Sequence, residues 1–159
     1  GVTRKDELLE LDFPATPADP IPTDPKVTAA LGAEPLELYR GEHYSLALFP
    51  DEAAVRDLAP AMDRLTALDH PAFIVTAPGD SADFVSRFFA PRLGVSEDPV
   101  TGSAHCMLAP FWRVRLDRNP LEARQISARG GELRCEVRGN RVGISGGAIL
   151  YLEGEIEVP

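Results

Sequence analysis

Apolar positions come in short runs broken by proline, glycine and acidic residues, a pattern that predicts strands more than long helices. Residues 7–13 alternate and read as a strand ended by Pro14. Prolines at 14, 17, 20, 22 and 25 make residues 15–25 a stiff linker, and residues 1–14 then read as the tail strand of an upstream, mostly missing half. Asp24 before Pro25 predicts a helix start, and Gly32 its end. Residues 36–40 and 44–49 form a hairpin around Gly41-Glu42. Short helices follow at 51–58 and 60–65, then strands at 72–77 and 83–89. Further strands are predicted at 122–128, 132–138, 141–145 and 148–158, and residues 153–159 are read as a terminal strand able to pair with the N-terminal half. Residues 26–152 are read as one C-terminal domain.

The stretch Ala104-His105-Cys106-Met107-Leu108-Ala109-Pro110-Phe111-Trp112-Arg113-Val114 departs from that pattern, because apolar residues fall on every helical face. Such a helix is buried on all sides. Strands must therefore wrap it, and Pro110 should kink it or break one of its hydrogen bonds. The expected class is α+β, a mostly antiparallel, barrel-like sheet around a central buried helix.

The start of that helix carries the candidate chemistry. The first N–H groups of a helix lack internal partners and attract anions. Gly102 lets a ligand approach the backbone, and Thr101 or Ser103 adds a hydroxyl. Asp98, just upstream, has two readings: a helix cap or Asx turn, or an acid/base group facing the bound anion. Glu97 is adjacent, and sequence leaves open which carboxylate faces the cleft. His105 serves either a neighbouring carbonyl or the cleft; Ser103 and His105, two apart on a helix, cannot pair as a hydrolase dyad.

Net charge −9 makes nucleic acid a poor partner. Cys106 and Cys135 lack metal-ligand spacing, and two isolated cysteines without a leader sequence point to free thiols and a cytoplasmic setting. No apolar run is long enough to span a membrane. His43, His70 and His105 are too dispersed for a metal site, and no phosphate-binding glycine fingerprint is present, so neither metal nor cofactor is expected.

The nonamer Glu97-Asp98-Pro99-Val100-Thr101-Gly102-Ser103-Ala104-His105, preceded by Arg87-Phe88-Phe89-Ala90-Pro91 and Gly94, resembles the signature of the PhzF phenazine-biosynthesis family. Gln125-Ile126-Ser127-Ala128-Arg129-Gly130-Gly131, Arg141-Val142-Gly143-Ile144-Ser145-Gly146 and Leu11-Asp12-Phe13-Pro14 resemble it too. The resemblance implies a diaminopimelate-epimerase-like fold of two similar halves, with the site between them. It implies an isomerase that moves a proton on a small carboxylate-bearing substrate. Asp98 would assist proton transfer, and Gly102 and Ser103 would hold the carboxylate, with Thr101 and His105 as neighbours.

The resemblance also implies that the family's main acid/base glutamate and its Gly-His-Pro-type motif are to be expected in an N-terminal half upstream of these residues. Asp69-His70-Pro71 is not that motif. The expected partners are therefore the N-terminal half or a partner chain, and a second copy in a homodimer. The alternative is a non-catalytic carboxylate-binding or interaction module.

Overall fold

The computed structural model describes residues 1–155 and 157. In chain order the elements are β1 (Val2–Lys5), β2 (Leu8–Pro14), β3 (Asp19–Ile21), α1 (Pro25–Leu31), β4 (Glu37–Arg40), β5 (Ser45–Leu48), α2 (Glu52–Arg56), α3 (Met62–Ala67), β6 (Phe73–Pro78), β7 (Phe84–Phe89), α4 (Gly102–Leu116), β8 (Leu121–Gln125), β9 (Gly131–Arg138) and β10 (Arg141–Gly146). The strands form one sheet in the order β1-β2-β10-β9-β8-β7-β6-β5-β4-β3. The fold is α+β, as expected, but the sheet is mixed. β5 pairs parallel with β6, and β7 with β8. Each parallel pair is bridged by a helical crossover, α2 and α3 in the first case and α4 in the second.

Two apolar layers cover the sheet. On one face, Ile74, Phe84, Phe88, Leu121, Ala123, Cys135, Val137, Val142 and Ile144 share a core with Ala104, Met107, Leu108 and Trp112 of α4. On the other, Phe73, Val75, Val85 and Phe89 pack with Val27 and Leu31 of α1, Val55 of α2 and Leu65 of α3. Alternate residues of β6 and β7 thus serve opposite layers, which is why these strands read as near-continuous apolar runs.

Local signals explain the helix ends. Asp24 accepts the Lys26 N–H at 2.8 Å, Pro25 occupies the first turn, and Gly32 closes α1 in the left-handed conformation. Asp51 caps α2 through the Ala54 N–H at 2.8 Å.

Pro110 sits inside α4 and has no N–H, which frees the carbonyl of Cys106. That carbonyl accepts the Thr16 N–H at 3.0 Å. The lost helix bond is thereby replaced by a tertiary one, which ties the chain leaving β2 to the helix. The segment 15–25 is accordingly not a free linker, since it contains β3, paired with β4, and Ala15 donates to the Asn140 carbonyl at 2.8 Å. Residues 1–14 contribute β1 and β2, and β2 pairs with β10 over six positions within the same sheet.

Two further expectations differ. The last part of α4 is not buried; Val114 is 81% exposed, and the final turn carries Arg113 and Arg115. After β10, residues 147–155 form no strand, and Ile149–Leu152 are open to solvent. The rest of the expected terminal strand, at 156, 158 and 159, lies outside the described residues.

Candidate functional site

The segment between β7 and α4 is built by contacts to β7, β8 and the α2 end. Arg87 on β7 donates to Glu97 through two nitrogens, Nε to Oε1 at 2.8 Å and Nη2 to Oε2 at 3.0 Å. Its third nitrogen, Nη1, reaches the carbonyls of Val55, Arg56 and Leu58 at 2.8–3.2 Å. These are orphan acceptors at the α2 C-terminus. Glu97 is thus committed to a half-buried fork pair, which settles which neighbour is structural. Asp98 turns the other way, its N–H held by the Phe88 carbonyl at 3.0 Å.

Gln125, at the end of β8 and 1% exposed, clamps the next turn. Its Oε1 accepts the Thr101 N–H at 2.7 Å. Its Nε2 donates to the Asp98 carbonyl at 2.7 Å and to Thr101 Oγ1 at 3.2 Å. Thr101 Oγ1 in turn donates to Asp98 Oδ2. Ser127 Oγ adds a bond to the Pro99 carbonyl at 2.7 Å. Gly131 gives this loop room, since a Cβ there would lie 2.5 Å from Val100 Cγ2.

Thr101 is the N-cap residue of α4, yet its hydroxyl does not cap the helix, because it serves Asp98. The capping reading of Asp98 is corrected in the same way: its carboxylate takes a hydroxyl, not a helix N–H. Among the described residues the N–H groups of Gly102, Ser103 and Ala104 have no acceptor, as expected of a first helical turn. Nothing lies within 4 Å of the place a Gly102 side chain would occupy. The fold itself does not require glycine there, whereas a ligand resting on the backbone would.

Ser103 is exposed, and its hydroxyl lies 3.0 Å from the Tyr44 hydroxyl. The Tyr44 ring packs edge-on against Phe88, with centroids 5.1 Å apart. A cleft of about 850 Å³ opens beside Gly102, with Leu9, Leu11, Val100, Leu133, Ile144 and Arg129 on its walls. Gly102 thus meets the edge of a largely apolar cleft, between the Asp98–Thr101 pair and Ser103, which meets Tyr44.

His105 does not belong to that surface. It is completely buried, and its Nδ1 donates to the Thr101 carbonyl at 2.8 Å. Burial pushes its pKa down to about 4, only partly opposed by that hydrogen bond, so the ring is neutral near pH 7. Its Nε2 and the Ser86 hydroxyl are buried without partners among the described residues. Thr101 is mostly committed as well, with its N–H on Gln125 and its hydroxyl on Asp98. The structure thus brings together Asp98, Gly102 and Ser103 of the expected residues, and places Thr101 and His105 behind them.

Tyr44 and Gln125 are the residues that sequence reasoning did not assign. Gln125 stood inside a recognisable motif but carried no role there. Tyr44 had no local signal, because its link to Ser103 spans 59 positions. Burial raises the pKa of both thiols, that of Cys135 to about 12, so neither is a poised nucleophile. Among the described residues no cluster of His, Cys, Asp and Glu is placed to hold a metal ion, and no helix is long and apolar enough to cross a membrane.

Fold and site together define an α+β protein in which the start of α4 follows an Asp98 carboxylate held by Thr101. The family model described as phenazine biosynthesis-like protein (PhzC-PhzF) matches residues 3–154. An uncharacterized isomerase of Pseudomonas aeruginosa is 47% identical over 99% of this chain and 60% of its own length. The crystal structure of a PhzF-family phenazine biosynthesis protein from Enterococcus faecalis superposes with a TM-score of 0.93 at 47% identity, covering 99% of this chain and 60% of that one. A PhzC/PhzF protein structure from Clostridium difficile gives 0.89 at 39% identity, with coverage of 99% and 61%. The chain belongs to the PhzC-PhzF family, and it spans about 60% of the length of these relatives.

Proposed function

We propose that this chain supplies the carboxylate-holding wall of an isomerase or epimerase site that moves a proton on a small carboxylate-bearing substrate. The observation that carries this reading is the set of free N–H groups of Gly102, Ser103 and Ala104 beside the Asp98 carboxylate. A carboxylate seated on those donors, with Ser103 Oγ as a further donor, would be stabilised by the helix end. Its neighbouring carbon would then lie within reach of Asp98, which would give or take a proton. The names of the relatives as isomerases fit this chemistry. No residue in this mechanism calls for a metal or an organic cofactor.

In the same reading, α4 is the central helix of a diaminopimelate-epimerase-like half, since it shares a core with residues of β5 to β10. The second acid/base group comes from the part of the family's length that lies outside this chain. That part would cover the apolar cleft beside Gly102 and the open Ile149–Leu152 segment. A second copy of the chain is the competing occupant, and light scattering with and without the remaining portion distinguishes them.

The test is solvent deuterium exchange by the whole protein. A panel of small carboxylates with a C–H beside a carbonyl or double bond is incubated in D2O. The expected result is incorporation at a carbon that does not exchange without protein, slowed by about 10²-fold or more in Asp98→Asn with the fold intact. Unchanged exchange in that variant removes Asp98 from the mechanism. No exchange by the unaltered protein with any member of the panel overturns the isomerase reading and leaves a binding module.

A further inference from the structure

The hydrogen bonds around Gln125 have only one possible direction. A backbone N–H can only donate, so the atom of Gln125 facing Thr101 N at 2.7 Å is the carbonyl oxygen Oε1. A backbone carbonyl can only accept, so the atom facing the Asp98 carbonyl at 2.7 Å is the amide nitrogen Nε2. Two independent backbone groups thus fix the amide orientation, which is otherwise free to flip. The second hydrogen on Nε2 points to Thr101 Oγ1 at 3.2 Å, which makes that hydroxyl an acceptor from Gln125. The hydroxyl has one hydrogen of its own, and the remaining acceptor within reach is Asp98 Oδ2. All of this occurs around a side chain that is 1% exposed, next to a Thr101 that is 8% exposed, so water does not reset it.

We infer that Gln125 is a positioning residue that acts on Asp98 through Thr101. It directs the Thr101 hydroxyl hydrogen onto Oδ2 and thereby leaves Oδ1 as the oxygen through which Asp98 exchanges a proton with a ligand. No donor reaches Oδ1 among the described residues. The same clamp withdraws the Thr101 N–H from the anion site, so the donor set begins at Gly102. The inference rests on the isomerase reading for its consequence in turnover, but not for the direction of the hydrogen bonds.

The test has two arms. Neutron diffraction from crystals grown in D2O locates the hydrogens directly. The expected map has two deuterons on Gln125 Nε2 and the Thr101 deuteron directed at Asp98 Oδ2. A Thr101 deuteron directed at Gln125, or a deuteron on Oδ2 itself, overturns the inference. The second arm measures exchange on the carboxylate that gains deuterium in the panel above. Gln125→Glu keeps the shape and the Thr101 N–H acceptor but can donate neither bond; Thr101→Val removes the hydroxyl alone, and Thr101→Ser restores it. Expected are a fall in kcat of about tenfold or more for Gln125→Glu and Thr101→Val, with KM changed by less than about threefold, and Thr101→Ser close to the unaltered protein. Melting temperatures confirm that each variant is folded. A folded Thr101→Val with unchanged kcat overturns the relay. If the unaltered protein exchanges nothing, the isomerase reading fails while the neutron map still decides the hydrogen-bond direction.

Discussion

Arg87 meets Glu97 with two nitrogens and three carbonyls at the end of α2 with the third, whereas Asp98 receives a hydroxyl from Thr101 and keeps its other oxygen free of protein donors among the described residues. Adjacent acids of the same charge therefore have separate jobs. Arg87→Met should destabilise the fold by about 2–4 kcal/mol, because it strands a half-buried carboxylate and three acceptors; urea unfolding measures it. Gly102→Ala should do the reverse of a structural change. The space beside it is open, so the unfolding free energy should stay within about 0.5 kcal/mol. Carboxylate binding should nevertheless weaken by about tenfold or more, since the new methyl group occupies the ligand's approach. A loss of stability without loss of binding would mean that the glycine serves the fold. The sequence brought both acids to notice but could not separate them, because the deciding partners Arg87 and Gln125 sit on strands that only folding brings to the loop.

Among the elements, α4 shows how much a local pattern carries. Its place at the core and the hydrogen bond lost at Pro110 were legible from apolar spacing and from proline chemistry alone. The replacement partner, the N–H of Thr16, was not, since it comes from a segment whose prolines suggested a linker. Pro110→Ala should keep the fold, with stability changed by less than about 1 kcal/mol, as a new helix bond competes with the tertiary one. Hydrogen exchange at Thr16 should then accelerate; an unchanged Thr16 amide would show that the Cys106 carbonyl serves both donors at once. The hairpins around Gly41 and Gly139-Asn140 were readable from turn residues, and their antiparallel registers appear as β4–β5 and β9–β10. The parallel pairs were missed because strand direction is set by the long helical crossovers, which leave no mark within either strand.

At the scale of the whole molecule, buried titratable groups set the response to acid. The unfolded His105 ring takes a proton below about pH 6.5, whereas the folded one resists until about 4. Its contribution is therefore complete above 6.5 and is lost as pH falls toward 4, by about 3 kcal/mol. Urea unfolding at pH 7 and 4.5 checks this, and His105→Asn should flatten the difference. Glu10 acts in a lower window. Hydrogen bonds from Arg138 and Lys5 hold its pKa near 2 against an ordinary 4.5, so its contribution is present above 4.5 and lost between 4.5 and 2.

Gly102 helps to line the apolar cleft, so under the proposed function a carboxylate held at the start of α4 would lie beside the surface that the remaining family length covers. An amide NMR titration of the protein with acetate tests that claim most directly. The N–H signals of Gly102, Ser103 and Ala104 should shift together and saturably, while Thr101, committed to Gln125, should not follow them. No saturable shift at those three positions, or shifts scattered over the exposed arginines, would contradict a carboxylate site at the start of α4.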